Sequence, residues 1–133
     1  MQIKHLFMAC SIGLFTLTAC QKEEKTTAEK VQGRWQLVKI TDNEHSDDKD
    51  VRDTTVGTAA DYLDFRADGK LYTYLYGDYD TSNYIVQSDL KIRIGGASAD
   101  ILTLTDKTFK FYSKQLNANR PSAYYEVTFN LKK

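Results

Sequence analysis

Near the C-terminus, Tyr125, Val127, Phe129 and Leu131 alternate with Tyr124, Glu126, Thr128 and Asn130. A period of two puts an apolar row on one side of an extended chain and a more polar row on the other, the signature of a half-buried strand. Leu90, Ile92 and Ile94 alternate in the same way with Lys91 and Arg93, and Phe109 and Phe111 alternate with Thr108, Lys110 and Tyr112. By this test strands are expected at Gly33–Thr41, Tyr62–Phe65, Lys70–Tyr76, Tyr84–Gln87, Leu90–Ile94, Asp100–Leu104, Thr108–Ser113 and Ala123–Leu131. No stretch carries a helical stripe. Breakers fall between the strands: Ala67-Asp68-Gly69 is a tight hairpin turn, Gly95-Gly96 ends a strand, and Thr105-Asp106-Lys107 is a short connection. Short consecutive strands joined by short turns predict an all-β domain. The expected form is an antiparallel up-and-down barrel of about eight strands, whose closure leaves no edge open. An open sandwich is the alternative.

One hairpin can be read in more detail. If Ala67-Asp68-Gly69 is a three-residue loop, Phe65 lies opposite Leu71 and Tyr62 opposite Tyr74. Leu71, Thr73 and Leu75 then share the core face with Leu63 and Phe65, and Tyr62, Tyr72, Tyr74 and Tyr76 lie together on the outer face. Such a row is amphipathic and loses little entropy on contact, so it suits a glycan or a protein partner. Tyrosine is also an ordinary strand former, and a one-residue slip in register turns the same rings inward as cavity lining.

The N-terminus follows a different pattern. Lys4 precedes a mainly apolar run, Leu6 to Ala19, closed by small residues and too short to span a bilayer as a mature helix. This is the build of a secretory signal. Its ending, Leu17-Thr18-Ala19-Cys20, resembles the bacterial lipobox, which implies cleavage before Cys20 and acylation of that residue. Gln21 to Lys30 has no large apolar residue and reads as a flexible tether. Gln21-Lys22-Glu23-Glu24 resembles the export signal of Bacteroidetes surface lipoproteins. The expected division is therefore signal peptide 1–19, lipidated cysteine and tether 20–31, and barrel 32–133, with the protein anchored in the outer membrane and exposed at the cell surface.

Cleavage changes the composition. Residues 1–19 take one lysine and no acid from the chain's 18 cations and 18 anions, leaving one net negative charge with no general attraction for nucleic acid. Of the two cysteines, Cys10 leaves and Cys20 is acylated, which excludes a disulfide framework or a thiolate site. The remaining 114 of 133 residues suffice for one modest core.

Gly33-Arg34-Trp35 at the start of the first strand resembles the Gly-x-Trp opening of lipocalins, and "YLDFRADGKLYTY" with "LTDKTFKFYS" resembles the lipocalin-like lipoproteins of Bacteroidetes. The resemblance implies a cavity for a small hydrophobic molecule at the loop end of the barrel. An eight-stranded barrel is also narrow enough to be filled by its own side chains. Trp35 is a candidate ligand contact and, more simply, a plug at the closed end. Lipocalins set a basic residue from the last strand over this tryptophan. The segment Tyr124–Leu131 offers none, and Lys132 and Lys133 stand at its very end.

Two acidic stretches bear on metal binding. Asp42 to Asp53, between the first two expected strands, reads as a solvated mobile loop. Asp78-Tyr79-Asp80-Thr81-Ser82-Asn83 faintly resembles a calcium loop, but Asn83 stands where that loop needs glycine. Neither metal nor cofactor is expected. His45 stands alone in the acidic stretch, so no nucleophile-base pair assembles, and a non-enzymatic, monomeric binding protein is expected. Its candidate sites are Cys20 for lipidation and Tyr62, Tyr72, Tyr74, Tyr76 and Trp35 for binding. The ligand is either a small hydrophobic molecule or, at an outer face, a glycan or partner protein.

Overall fold

The computed structural model describes residues 23–133. Helix α1 (Thr27–Val31) precedes nine strands: β1 (Gly33–His45), β2 (Asp50–Val56), β3 (Tyr62–Phe65), β4 (Lys70–Leu75), β5 (Asp78–Ser88), β6 (Lys91–Ile94), β7 (Ala97–Leu104), β8 (Thr108–Asn117) and β9 (Arg120–Lys132). All neighbouring strands are antiparallel, and β1 pairs with β9 to close an eight-stranded barrel with β2 as one extra strand. The up-and-down barrel expected from the sequence is the fold observed.

The extra strand lies where a mobile loop was expected. β1 continues through Asp42 to His45, and Asp50–Val56 returns alongside it with Lys39 opposite Val56 and His45 opposite Asp50. β3 then pairs with the first part of β1, Gln36 opposite Tyr62. β2 and β3 therefore lie end to end along β1, as one strand interrupted by Gly57–Asp61. The whole of β2 is exposed. With no buried face it shows no apolar alternation, and only its β-branched residues and the pairing with β1 favour extension.

The same reason accounts for the other boundary differences. β5 starts at Asp78, β7 at Ala97 and β9 at Arg120, whereas β8 continues to Asn117. All these extensions lie at the end of the barrel opposite α1, where the strands rise beyond the core and both faces are wet. The stretch Asp78–Asn83 is likewise strand, not loop. Its alternation sends Asp78, Asp80 and Ser82 to one face and Tyr79, Thr81 and Asn83 to the other, so they cannot converge on one ion.

The core is built from the inward rows. Trp35, Phe65, Phe109, Ile92, Leu37 and Leu131 are almost completely buried, with Leu63, Leu71, Ala99, Ile101 and Phe111 beside them. Rings run through it in contact: Trp35 on Phe109 at 5.5 Å between centroids, Phe109 on Phe111 at 5.1 Å, and Phe111 on Phe129 at 4.8 Å.

Helix α1 seals one end, and it falls within the stretch expected to be tether. A capping box starts it: Thr26 N–H donates to Glu29 Oε2 (2.7 Å), and Glu29 N–H donates to Thr26 Oγ1 (3.3 Å). Val31 at its end is fully buried, and Thr27 Oγ1 donates to Asp89 on the β5–β6 turn (2.5 Å). One apolar anchor and one cap hold a single-turn helix that is too short to show periodicity.

The indole of Trp35 donates from Nε1 to the Val31 carbonyl (2.7 Å). Lys133, one residue past β9, places Nζ 4.2 Å from the ring centroid and donates to the carbonyls of Gln32 (2.9 Å) and Lys30 (3.4 Å). This is the basic residue that Tyr124–Leu131 lacked. Burial pulls its pKa down, and Lys25 acts in the same direction.

The interruption between β2 and β3 depends on one glycine. Gly57 N–H donates to the Val38 carbonyl (2.9 Å), and a Cβ at Gly57 would stand 2.3 Å from the Leu37 carbonyl oxygen. A side chain there must displace backbone of the closing strand. Gly57→Ala is expected to cost about 1–3 kcal/mol in urea unfolding, whereas Gly96→Ala, where a Cβ meets nothing within 4 Å, leaves the midpoint nearly unchanged.

Candidate functional site

Above the aromatic core the barrel is not filled. A cavity of about 280 Å³ opens at the end opposite α1. Leu63, Leu71, Ala99 and Phe111 form its floor, and Leu75, Ile94, Ala97, Val127 and Phe129 its walls. Thr73, Asp80, Ser82, Ser113 and Gln115 supply the polar groups of the rim. Strand alternation explains the set, because each residue occupies an inward position and small alanines on β7 leave room where β8 and β9 carry phenylalanines. Ser113 is already satisfied, donating to the Ser98 carbonyl (2.9 Å). A hollow of about 430 Å³ between the far ends of β1, β8 and β9 is larger, but it is a groove open to water and lined mostly by polar groups such as Glu44, Gln115 and Asn117.

The hairpin β3–β4 has the register derived from its turn: Phe65 faces Leu71 and Tyr62 faces Tyr74. Leu71, Thr73 and Leu75 line the cavity, and Tyr62, Tyr72 and Tyr74 lie outside. Tyr62 stacks on Tyr74 at 6.1 Å, and Tyr79 of β5, opposite Tyr74, extends the row with centroids 4.5 Å apart. Tyr79 was not foreseen because the stretch around it read as loop. Arg34 lies 4.0 Å over Tyr62 and Arg66 4.3 Å over Tyr72, with Asp64 bridging the two guanidinium groups at 3.9 and 3.3 Å.

Tyr76 does not belong to this row. β4 ends at Leu75, and Tyr76 and Gly77 turn the chain with φ of 53° and 94°. Positive φ at both central residues suits the twist of a two-residue hairpin, at a steric cost for tyrosine. Trp35 is also away from the candidate surfaces: it plugs the closed end, fully buried, and does not line the cavity. Cys20 lies outside the described residues.

What holds Tyr76 is Asp61, a buried carboxylate that accepts from Tyr76 N–H (2.6 Å), Thr58 N–H (2.6 Å) and Thr58 Oγ1 (2.7 Å). It ties the β2–β3 interruption to the β4–β5 turn at the cavity mouth. The bonds from the Thr58 and Tyr76 amides and the Thr58 hydroxyl hold its carboxyl below the usual carboxylate range against the opposing effect of burial.

His45, expected to stand alone, sits within a polar network outside the barrel. Its Nδ1 lies 2.9 Å from Asp50 Oδ1 and its Nε2 3.1 Å from Glu126 Oε2, while the ring stacks on Tyr124 at 4.2 Å. Tyr112 donates to Glu126 Oε1 (2.6 Å). That bond is the main reason the Tyr112 hydroxyl is pushed up to about 12 and Glu126 is drawn down, with burial and the Glu126 charge adding to the tyrosine shift. The two nitrogens of His45 point to acids on opposite sides, so the groups share no common centre. Among the described residues no group of three or more His, Cys, Asp or Glu side chains is arranged to hold a metal ion. No helix among them is long and apolar enough to cross a membrane.

The sequence matches no protein-family model, and no curated protein matches it significantly.

Because the Asp61 carboxyl lies below its ordinary value in the folded protein, its contribution to stability is complete above about pH 4 and is lost as pH falls through the folded value. Asp61→Asn is expected to destabilise the barrel near neutral pH by about 1.5–3 kcal/mol, since bonds to a charged acceptor are lost. It is also expected to make the acid side of a stability-against-pH curve shallower. An unchanged acid limb would assign that dependence to other carboxylates.

Proposed function

We propose that this protein is a lipid-anchored envelope protein whose barrel binds a small hydrophobic molecule. The cavity of about 280 Å³ carries this reading, because it sits just below the usual volume range of ligand sites and combines apolar walls with a few polar groups at its opening. A barrel made only for stability gains by filling such a space, since the walls of an unfilled cavity lose packing contacts. The lipocalin-like features support the same reading: Gly33-Arg34-Trp35 opens the first strand, and Lys133 covers the indole from the end of the last. In this reading the protein works as a monomeric carrier or scavenger without a cofactor and does not act on nucleic acid.

The anchor follows from Leu17-Thr18-Ala19-Cys20 and the polar stretch after it. Residues 23–25 carry no regular structure, and the folded part starts at the Thr26 cap, so the tether between acylated Cys20 and the barrel is short. Two or three acyl chains make anchoring stable, where one is marginal. The outer-membrane address rests on the resemblance of Gln21-Lys22-Glu23-Glu24 to an export signal. A second reading draws on the row Tyr62, Tyr74 and Tyr79 with Arg34 and Arg66 beside it: this outer face contacts a glycan or a partner protein.

Native mass spectrometry of the protein from its own host separates the two. The carrier reading expects a co-purifying lipid-like mass that disappears in Ala97→Phe, which fills the cavity, and persists in Ile85→Phe, which adds the same ring type at an exposed outer position. Absence of any bound mass, together with glycan retention lost in Tyr72→Ala and Tyr74→Ala, favours the outer face. Cys20→Ser is expected to abolish incorporation of labelled palmitate and release the protein from the membrane fraction. Unchanged labelling would rule out the lipidation site.

A further inference from the structure

Acidic positions outnumber basic ones around the cavity mouth. Among the described residues Asp80 is the only charged one lining it, and no lysine, arginine or histidine does. Residues directly opposite on antiparallel strands share a face, so the register extends this account to the rest of the mouth. Asp42 faces Val127, a wall residue, and Asp53 faces Asp42. Glu44 faces Tyr125, and Asp78 faces Leu75, another wall residue. These inner positions therefore carry Asp42, Glu44, Asp53, Asp78 and Asp80.

The cations lie elsewhere or are already paired: Arg120, opposite Asn117 at the β8–β9 turn, lies 3.8 Å from Asp47. Lys114 pairs across from Glu126 and covers Tyr124 on the outer face. Arg52 is opposite Asn43, also outside, and Arg34 and Arg66 lie over the outer tyrosines. Lys133 covers Trp35, at the closed end and away from the cavity. The Asp80 carboxylate accepts only from the amide of the next residue, Thr81 (2.7 Å), which leaves acceptor capacity free at the rim. Asp42 accepts from the Tyr125 hydroxyl on the neighbouring strand β9.

We propose that the cavity selects amphiphiles whose polar end is cationic, an amine or similar ammonium group, and discriminates against fatty acids and other anionic amphiphiles. The inference rests on the carrier reading above and specifies its ligand class. The apolar tail lies against Leu71, Leu75, Phe111 and Phe129, and the head group stays at the rim beside Asp80, with Thr73 and Gln115 as neutral partners. Low-dielectric walls focus the field of the surrounding carboxylates into the opening, so even a partly hydrated ammonium is favoured there and a carboxylate is repelled. A fatty-acid site needs a basic residue or a hydroxyl cluster at its mouth; among the described residues no cation lines the cavity, Lys133 is at the wrong end of the barrel, and Arg120 at the β8–β9 turn is paired with Asp47 (3.8 Å).

The test uses full-length Cys20→Ser protein, which carries no acyl chains able to occupy the cavity. Three probes share one eight-carbon tail: octylamine, octan-1-ol and octanoate, each titrated while backbone amide shifts are followed. Octylamine is expected to bind about three- to tenfold more tightly than octanoate at low salt, in line with a few partly solvated charge contacts. The preference should shrink as salt is raised and fall further in Asp80→Asn, with octan-1-ol binding unchanged in that variant. Octan-1-ol binding with octanoate equal to or tighter than octylamine would overturn the charge selection while leaving the carrier reading intact. A preference for octylamine that survives Asp80→Asn in full would overturn the role given to Asp80. Failure of all three probes to shift the amides of Leu71, Ala97 and Phe111 would overturn the carrier reading and this inference with it.

Discussion

The indole of Trp35 is the interaction on which the rest of the barrel depends. It sits at the start of β1, gives its only hydrogen-bond donor to the carbonyl of Val31, and is covered by Lys133 from the end of β9. Helix α1, the first strand and the last residue of the chain thus meet on one ring. Because β1 and β9 are also the strands that close the sheet, the plug and the closure fix each other. The ring series Trp35, Phe109, Phe111 and Phe129 then carries dense packing upward until it becomes the cavity wall.

The two ends of the barrel obey different constraints. At the closed end, apolar side chains fill the core, and the exposed Lys133 ammonium covers the indole from outside. At the open end the strands run beyond the core, and polar bonds rather than burial hold them in place. Asp61 binds the interruption between β2 and β3 to the turn at Tyr76. His45, Asp50, Glu126 and Tyr112 link β1, β2, β9 and β8 across the outer surface. Hydrogen bonds of this kind contribute modestly each, but they shape the mouth without filling it, which is the condition for a cavity to persist above a packed core.

How much of this was legible in the chain follows the same division. Where one face is buried, the period of two survives in the sequence, and the register of β3 against β4 could be read from Ala67-Asp68-Gly69 alone. Where both faces are wet, as in β2 and the upper ends of β5, β7, β8 and β9, the pattern vanishes and charged residues suggest loop. His45 looked solitary because its partners Asp50 and Glu126 lie on other strands. Tyr79 joins the outer row by pairing, while Tyr76, which looked like its last member, is turned out of the strand by a carboxylate fifteen residues earlier.

The sequence by itself determined an all-β chain and the alternation that sends Leu71, Thr73 and Leu75 inward and Tyr72 and Tyr74 outward. Those features depend on neighbours within a few residues, where the chemistry of a strand or a turn is complete. Tertiary structure alone decided that Lys133 covers Trp35, that α1 belongs to the barrel, that space remains above Phe111, and that among the described residues the charged side chain lining this space is the acid Asp80. Each of these depends on where distant strands come to lie beside one another, and strand closure sets that only once the whole sheet has formed.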